Sequence, residues 1–295
     1  MTSFALDVMS WPEVGRALAR GPRLTFPVGA MDQHGPHLPL GANVLIAEAV
    51  SRAVSDHLGI LRAPTFSYGV SVGGGPFAGA TGLRRKTLHR AVNELLAQWE
   101  DDGAEDFVII TAHRFEPHLA ALLMALTATS SNSVYDLYPI DVADVLESNP
   151  EFEHGGELET SLLLHLAPKL VHMEEAEEYL PEERSLRRYT RGRVPTPPAK
   201  SRGMVGYPRL GTKEKGRVVF DGYVDSIAQA LTSDCHRHER CERGTKLGVA
   251  DAHDDPETFW LDAAHPCFPF VPCGRAKRRR PRDVLYRDRW FSCWD

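Results

Sequence analysis

Three short runs of the chain gather the residue types that metal chemistry uses. The first is "FPVGAMDQHGPHLPLGAN", residues 26 to 43, which holds Asp32, Gln33, His34 and Asn43 in a Gly/Pro-rich stretch. The second is "TAHRFEPH", residues 111 to 118, with His113, Glu116 and His118. The third is "EHGGELETS", residues 153 to 161, with His154, Glu157 and Glu159. Imidazoles and carboxylates that converge suit a divalent ion of the zinc, manganese or iron kind. Such an ion lowers the pKa of bound water and polarises a carbonyl oxygen. A neighbouring His or Glu can then pass a proton to a leaving nitrogen. The competing reading is an ordinary polar turn, since a single His after a strand is commonly a hydrogen-bonded structural residue. His37, His89 and His165 are read that way, because each lies in a helical or Pro-bounded context without carboxylate company.

The elements around these runs decide between the two readings. "WPEVGRALAR" reads as a short helix with Pro12 in its first turn, and "RLTFPVGA" as a strand that runs into the first polar loop. "NVLIAEAVSRAVSDHLG" has apolar residues at helical spacing and Gly59 as its stop. "ILRAPTFSYG" is expected to be a second strand, followed by the glycine-rich "VSVGGGPFAGATG". A helix over "KTLHRAVNELLAQWEDDG", a strand "DFVIITA", a helix "HLAALLMALTAT" and a strand "SVYDLYPID" follow. "GELETSLLLHLAPKLV" is a helix interrupted at Pro168, and "KGRVVFDGYVDSIAQALT" a last amphipathic helix ending near Ser233. Strands alternating with helices predict a mostly parallel sheet covered on both faces. In such sheets ligands bind at the carboxyl ends of the strands. Each of the three polar runs is read as directly following a predicted strand.

Composition excludes several classes. A chain of 295 residues with 42% hydrophobic and 25% charged residues is globular in character. A net charge of -6 argues against a general nucleic-acid binder. No apolar run reaches the ~18 residues of a membrane span. The N-terminus lacks a basic region followed by an apolar one, so no signal peptide is read and a cytoplasmic protein is expected. All five cysteines, from Cys235 to Cys293, fall after the last predicted helix, and no CxxC pair exists among them. Cys235, His236, His238, Cys241, Cys267 and Cys273 have spacings that fit no standard zinc module. Residues 174 to 203 are charged and proline-rich and read as a surface excursion. The glycines at 73 to 75 form neither a dinucleotide fingerprint nor a phosphate loop, so a flexible substrate loop is expected. Two regions are thus expected: a domain over residues 1–233 and a Cys/Arg-rich extension over 234–295 with the composition of a poorly ordered tail.

The motifs resemble those of the creatininase (creatinine amidohydrolase) family. Its P-x-G-S-x-E-Q-H-G-P-H-L-P-L-x-T-D signature is similar to "PVGAMDQHGPHLPLGAN", and its Y-G-x-S loop ending in F-x-G-T to "YGVSVGGGPFAGAT". An N-G-H segment corresponds to "TAH", an H-A-G-x-x-E-T-S segment to "HGGELETS", and a late stretch to "GMVGYPRLGTKEKG". The resemblance spans about residues 10 to 233. It implies an α/β fold, a three-layer α/β/α sandwich, with a divalent metal pair hydrolysing amide bonds, in a homo-oligomer that is commonly a hexamer. By position it implies Asp32, His34, Asn43 and His113 as metal ligands. His154 would bind substrate and transfer a proton, Glu159 and Glu116 would assist catalysis, and Ser71 of the Y-G-x-S loop would touch substrate. One or two ions of Zn, Mn or Fe are therefore expected, with a small-molecule amide as substrate: a cyclic amide, a formamide or a small linear amide.

The departures from the pattern carry information. Asp32 is one methylene shorter than the family's Glu, and Asn43 offers a neutral amide where the family bridges two ions with Asp. Phe115 stands where creatininase itself has Glu, so creatinine is not the expected substrate. Two readings compete: a metal-dependent amidohydrolase, or a metal-poor relative that binds a small ligand or partner without turnover.

Overall fold

The computed structural model describes residues 4–71, 77–126, 132–136, 144–149, 153–180 and 199–244. The glycine loop 73–75, the central part of the charged excursion and Cys267, Cys273 and Cys293 lie outside the described residues. Four strands, β1 (Arg23–Pro27), β2 (Leu61–Arg62), β3 (Asp106–Thr111) and β4 (Asn132–Asp136), form one sheet in the order β2-β1-β3-β4. Every pairing is parallel, with Leu24 opposite Phe107 and Phe107 opposite Asn132. The helices are α1 (Trp11–Arg20), α2 (Ala42–Leu58), α3 (Arg85–Asp101), α4 (Glu116–Leu126), α5 (Glu157–Leu166) and α6 (Lys213–Gly244).

Alternation along the strands divides the core in two. Phe107 and Ile109 of β3, with Leu24 and Phe26 of β1, pack against Leu18 of α1, Leu88 and Val92 of α3 and Leu122 of α4. Val108 and Ile110 face the other way, onto Ile46 and Val50 of α2, Leu162 of α5 and Tyr223 and Ile227 of α6. Because side chains alternate along a strand, buried residues on both sides produce the unbroken apolar run "FVII". The result is the expected three-layer α/β/α sandwich.

Local signals account for the element ends. Glu13 accepts the Ser10 amide at 2.8 Å, closing the first turn of α1. Gly59, at φ 67°, donates its amide to Ser55 O and ends α2, a left-handed conformation that glycine adopts at little cost. Two expectations are corrected. The second strand is only two residues long, because Pro64 lacks an amide to extend the ladder; a single bridge from Val28 to Phe66 follows. The last helix does not end near Ser233 but runs to Gly244, since nothing in "SDCHRHERCERG" breaks a helix before the glycine. Among the described residues no helix is long and apolar enough to cross a membrane.

One buried ion pair ties α5 to α6 and to the 144–149 segment within one α layer. Glu157 is fully buried and accepts the amides of Glu147 and Ser148, and its carboxylate pairs with Lys215 Nζ, which also reaches Glu147 at 2.7 Å. Burial opposes ionisation of Glu157, but Lys215, Ser148 and the two amides outweigh it and hold its pKa below 4.5. Lys215→Met is expected to cost about 3 kcal/mol, because it strands a buried carboxylate. The folded-state pKa is depressed, so the pair's contribution is present above about pH 4.5 and fades as pH falls through the lowered value. Urea unfolding of both proteins checks this: their midpoints should differ at neutral pH and converge in acid.

Candidate metal centre

The site is built at the carboxyl ends of β1 and β3 and the N-terminus of α5. The chain leaves β1 at Pro27 and carries Asp32 and His34 into a buried loop; it leaves β3 at Thr111 and presents His113 two residues later. His154 forms a backbone bridge to Val205, just before α5 brings Glu159 inward. Gly155 makes the close approach of the two loops possible. It has φ 66°, and a methyl placed there would sit 2.6 Å from His34 O.

His34, His154 and Glu159 form the tightest group. One potential ligand atom from each lies within 4.8 Å of the others. The His34 and His154 rings stack, with centroids 4.5 Å apart and planes 28° from parallel. His34 Nδ1 donates to Asp32 O at 3.1 Å, which leaves Nε2 as the inward nitrogen. That Nε2 is fully buried and has no hydrogen-bond partner; its nearest acid is Glu159 Oε1 at 3.5 Å, a long contact. Glu159 Oε2 accepts the Gly155 amide. His154 Nε2 donates to Gln33 O.

Electrostatics mark this group as a cation site. Burial disfavours a charge on His34, yet the Glu159 carboxylate and then Asp32 more than compensate, raising its pKa to about 9. His154 is pushed down instead, by burial first and then by the charge of His34. The carboxylates therefore favour a cation at His34 against the cost of desolvating an imidazole. A dication offered the same carboxylate and nitrogens would displace that proton. The buried, unsatisfied His34 Nε2 and the compact N/N/O donor set fit a divalent ion of the zinc or manganese type.

Asn43 and His113 form a second, neutral group beside it. Asn43 Nδ2 donates to His113 Nδ1 at 2.9 Å, and His113 Nε2–H donates to Val70 O at 2.9 Å. Both nitrogens of His113 are thus occupied, while Asn43 Oδ1 is buried without a partner. Burial lowers the His113 pKa, with Asp32 opposing. Asp32 is buried between the two groups in electrostatic terms, its charge reaching His34, His113 and His154.

Of the other sequence candidates, Ser71 closes the described part of its loop with a buried, unpaired Oγ. Glu116 sits exposed in the first turn of α4, so the carboxylate brought to the histidines is Glu159. Phe115 packs on His113 instead, ring centroids 5.8 Å apart. Glu157 faces Lys215, away from any catalytic use. His37, read as structural, is fully buried, with Nε2 on Thr160 Oγ1 at 3.0 Å. Burial, and then the charge of His34, push its pKa down to about 4, so it stays neutral. Glu153 was missed: its Oε2 accepts the Glu157 amide and its Oε1 the Tyr207 amide, clasping the start of α5 to the Val205 segment. An acid four residues before the first helical residue is the sequence signal that marks such a clasp.

Known proteins share this fold. A family model described as creatininase, creatinine amidohydrolase, matches residues 7–231. The creatinine amidohydrolase of Pseudomonas putida is 28% identical over 253 residues, covering 77% of this chain and 95% of that protein. The mycofactocin precursor peptide peptidase of Mycobacterium tuberculosis is 30% identical over 228 residues, covering 71% of this chain and 84% of that protein. Among solved structures, a mutant creatininase of Zn-Zn type superposes with a TM-score of 0.68 at 26% identity, covering 79% of this chain and 99% of that one. With a family model matched from the first helix to the body of the last, and the same fold in the solved relatives, the chain belongs to the creatininase family.

Proposed function

We propose that this protein is a metal-dependent amidohydrolase that cleaves the C–N bond of a small-molecule amide, using one divalent ion held by His34, His154 and Glu159. The observation that carries the proposal is the convergence of those three ligand atoms within 4.8 Å around a buried His34 Nε2 that the protein itself leaves unsatisfied. When bound, the ion supplies acidified water and polarisation of the amide carbonyl. The chain supplies the rest. Asp32 O fixes the His34 ring through Nδ1, and the Gly155 amide fixes the Glu159 carboxylate, so neither ligand needs to reorganise. Asp32 is the remaining buried carboxylate beside the donor set, placed to accept a proton and return it to the leaving nitrogen. Asn43 Oδ1 and Ser71 Oγ are buried polar atoms without partners, suited to an amide N–H and an amide oxygen of the substrate.

This arrangement differs from a two-ion reading with Asp32, Asn43 and His113 as ligands. The Asn43–His113 hydrogen bond uses the nitrogen lone pair that a second ion would need. The buried His34 Nε2 facing Glu159 supports the metal-dependent enzyme over a metal-poor binder. Relatives that act on creatinine and on a precursor peptide leave the bond open to experiment. Turnover of a panel of lactams, formamides and small linear amides, with creatinine and short peptides included, tests it. Metal-stimulated hydrolysis of a small amide, abolished by a chelator and restored by zinc or manganese, is the expected result. Rapid turnover of creatinine would overturn the expectation drawn from Phe115, and turnover of peptides alone would overturn the substrate class.

A further inference from the structure

His118 occupies a position where the fold asks for an apolar residue. In α4 the buried residues are His118, Ala121, Leu122, Ala125 and Leu126, a single stripe at helical spacing. An imidazole there loses its water, and burial holds its pKa well below the ordinary value, so the ring is neutral. Both ring nitrogens are nevertheless used. Nδ1 accepts the Val70 amide at 3.2 Å, and Nε2 bonds to Thr111 Oγ1 at 3.1 Å. Since Nδ1 accepts, the proton resides on Nε2 and Thr111 Oγ1 is the acceptor. The same Thr111 Oγ1 accepts the His113 amide at 3.3 Å. The His118 and His113 rings meet edge to face, 5.0 Å apart. Gly69 makes room for this ring: a methyl there would lie 2.6 Å from His118 Nδ1.

The Val70 peptide is therefore held from both sides, its N–H by His118 and its C=O by His113. We propose that His118 is a positioning residue, gripping the Val70 peptide so that His113 keeps its Nε2–H tautomer and Asn43 keeps Oδ1 turned to the pocket. The chain of contacts is continuous. His118 Nδ1 locks Val70, Val70 O requires a proton on His113 Nε2, and the lone pair left on His113 Nδ1 then orients the Asn43 amide. Ser71, the next residue after Val70, is registered by the same clamp. The role rests on the amidohydrolase reading for its catalytic consequence, but the hydrogen-bond relay itself does not.

Nitrogen-15 NMR of the histidine rings reads the relay directly, with or without turnover. In the unmodified protein His118 is expected to be neutral with its proton on Nε2 through the range in which histidines ordinarily titrate, about pH 5 to 8. His118 protonated on Nδ1 would overturn the proposal without any variant. In His118→Phe the bulk remains and both bonds are lost; His113 should lose its single tautomer, and kcat/KM on the amide substrate should fall about 10- to 100-fold, as when other supporting partners are removed. His118→Asn, whose side-chain oxygen can replace Nδ1 as acceptor, should restore the His113 tautomer and most of the rate. An unchanged His113 spectrum in a folded His118→Phe protein, or equal defects in both variants, would overturn it. A lost rate with an intact His113 tautomer would assign His118 to stability alone. An intact relay in a protein that turns over no amide would leave the relay standing and remove the functional reading.

Discussion

His34→Ala should abolish bound metal and turnover together. The Nε2 of His34 is the one nitrogen of the cluster that is buried, inward-facing and without a hydrogen bond, and the structure holds it there by tying Nδ1 to Asp32 O. Deleting the ring removes one of three protein ligands, and the remaining His154 and Glu159 form too small a set to retain an ion through dialysis. Glu159→Gln should act in the same direction, because it removes the only carboxylate of the set. His154→Ala is expected to lose metal in parallel with activity. Retained metal with kcat lowered about 10²- to 10⁴-fold would instead assign His154 to proton transfer. Elemental analysis of each purified variant, with circular dichroism to confirm folding, separates these outcomes. A His34→Ala protein that still carries a full equivalent would end the proposed donor set.

Asn43→Asp should raise the bound metal from one equivalent to two. In the native chain the Asn43 amide donates to His113 Nδ1, so that nitrogen's lone pair is occupied by a neutral hydrogen bond. An aspartate carboxylate of nearly the same shape has no N–H or O–H to offer, so it leaves the lone pair of His113 Nδ1 free to bind a cation. Charge matters as much as geometry. Two dications about 4 Å apart repel by on the order of 15 kcal/mol at an effective dielectric of about 20, and an anion between them offsets much of that. The native pocket has Asp32 and Glu159 as its carboxylates, one of them already committed to the first ion. Metal content measured after dialysis, on native and variant protein side by side, decides the point. Two tightly held equivalents in the native protein, or one in both proteins, would show that Asn43 does not set the stoichiometry.

Much of the molecule was legible before any coordinates. The continuous apolar "FVII" of β3, the helical spacing from Ala42 to Leu58 with its Gly59 stop, and the alternation of strands with helices specify a parallel sheet with two covered faces. These are signals of local chemistry: period, cap and breaker act within a few residues, so they can be read in order along the chain. The gathering of His34, His113, His154 and Glu159 followed from their places after strands and at a helix start, which parallel α/β topology brings to one end of the sheet.

Which of those residues face each other was decided only by the tertiary structure. Asp32 lies two residues from His34 in the chain, yet His34 turns its inward nitrogen toward Glu159, more than a hundred positions away, because Gly155 lets the α5 loop press against the His34 backbone. The neighbouring acids Glu157 and Glu159 are equally eligible by type. Two residues along the helix, about half a turn, send Glu157 to Lys215 and Glu159 to the histidines, a difference set by the ~100° step per residue and by where α6 packs. Asn43 reads as a weakened ligand in the sequence, but its pairing with His113 converts both into a neutral hydrogen-bonded group. His118 reads as one more histidine in a polar run, and its grip on Val70 exists only because α4 buries it against a loop some fifty residues earlier. Residue type is local information. Hydrogen-bond partnership, burial and the charge that a pocket retains are properties of contacts between distant segments, and folding creates them.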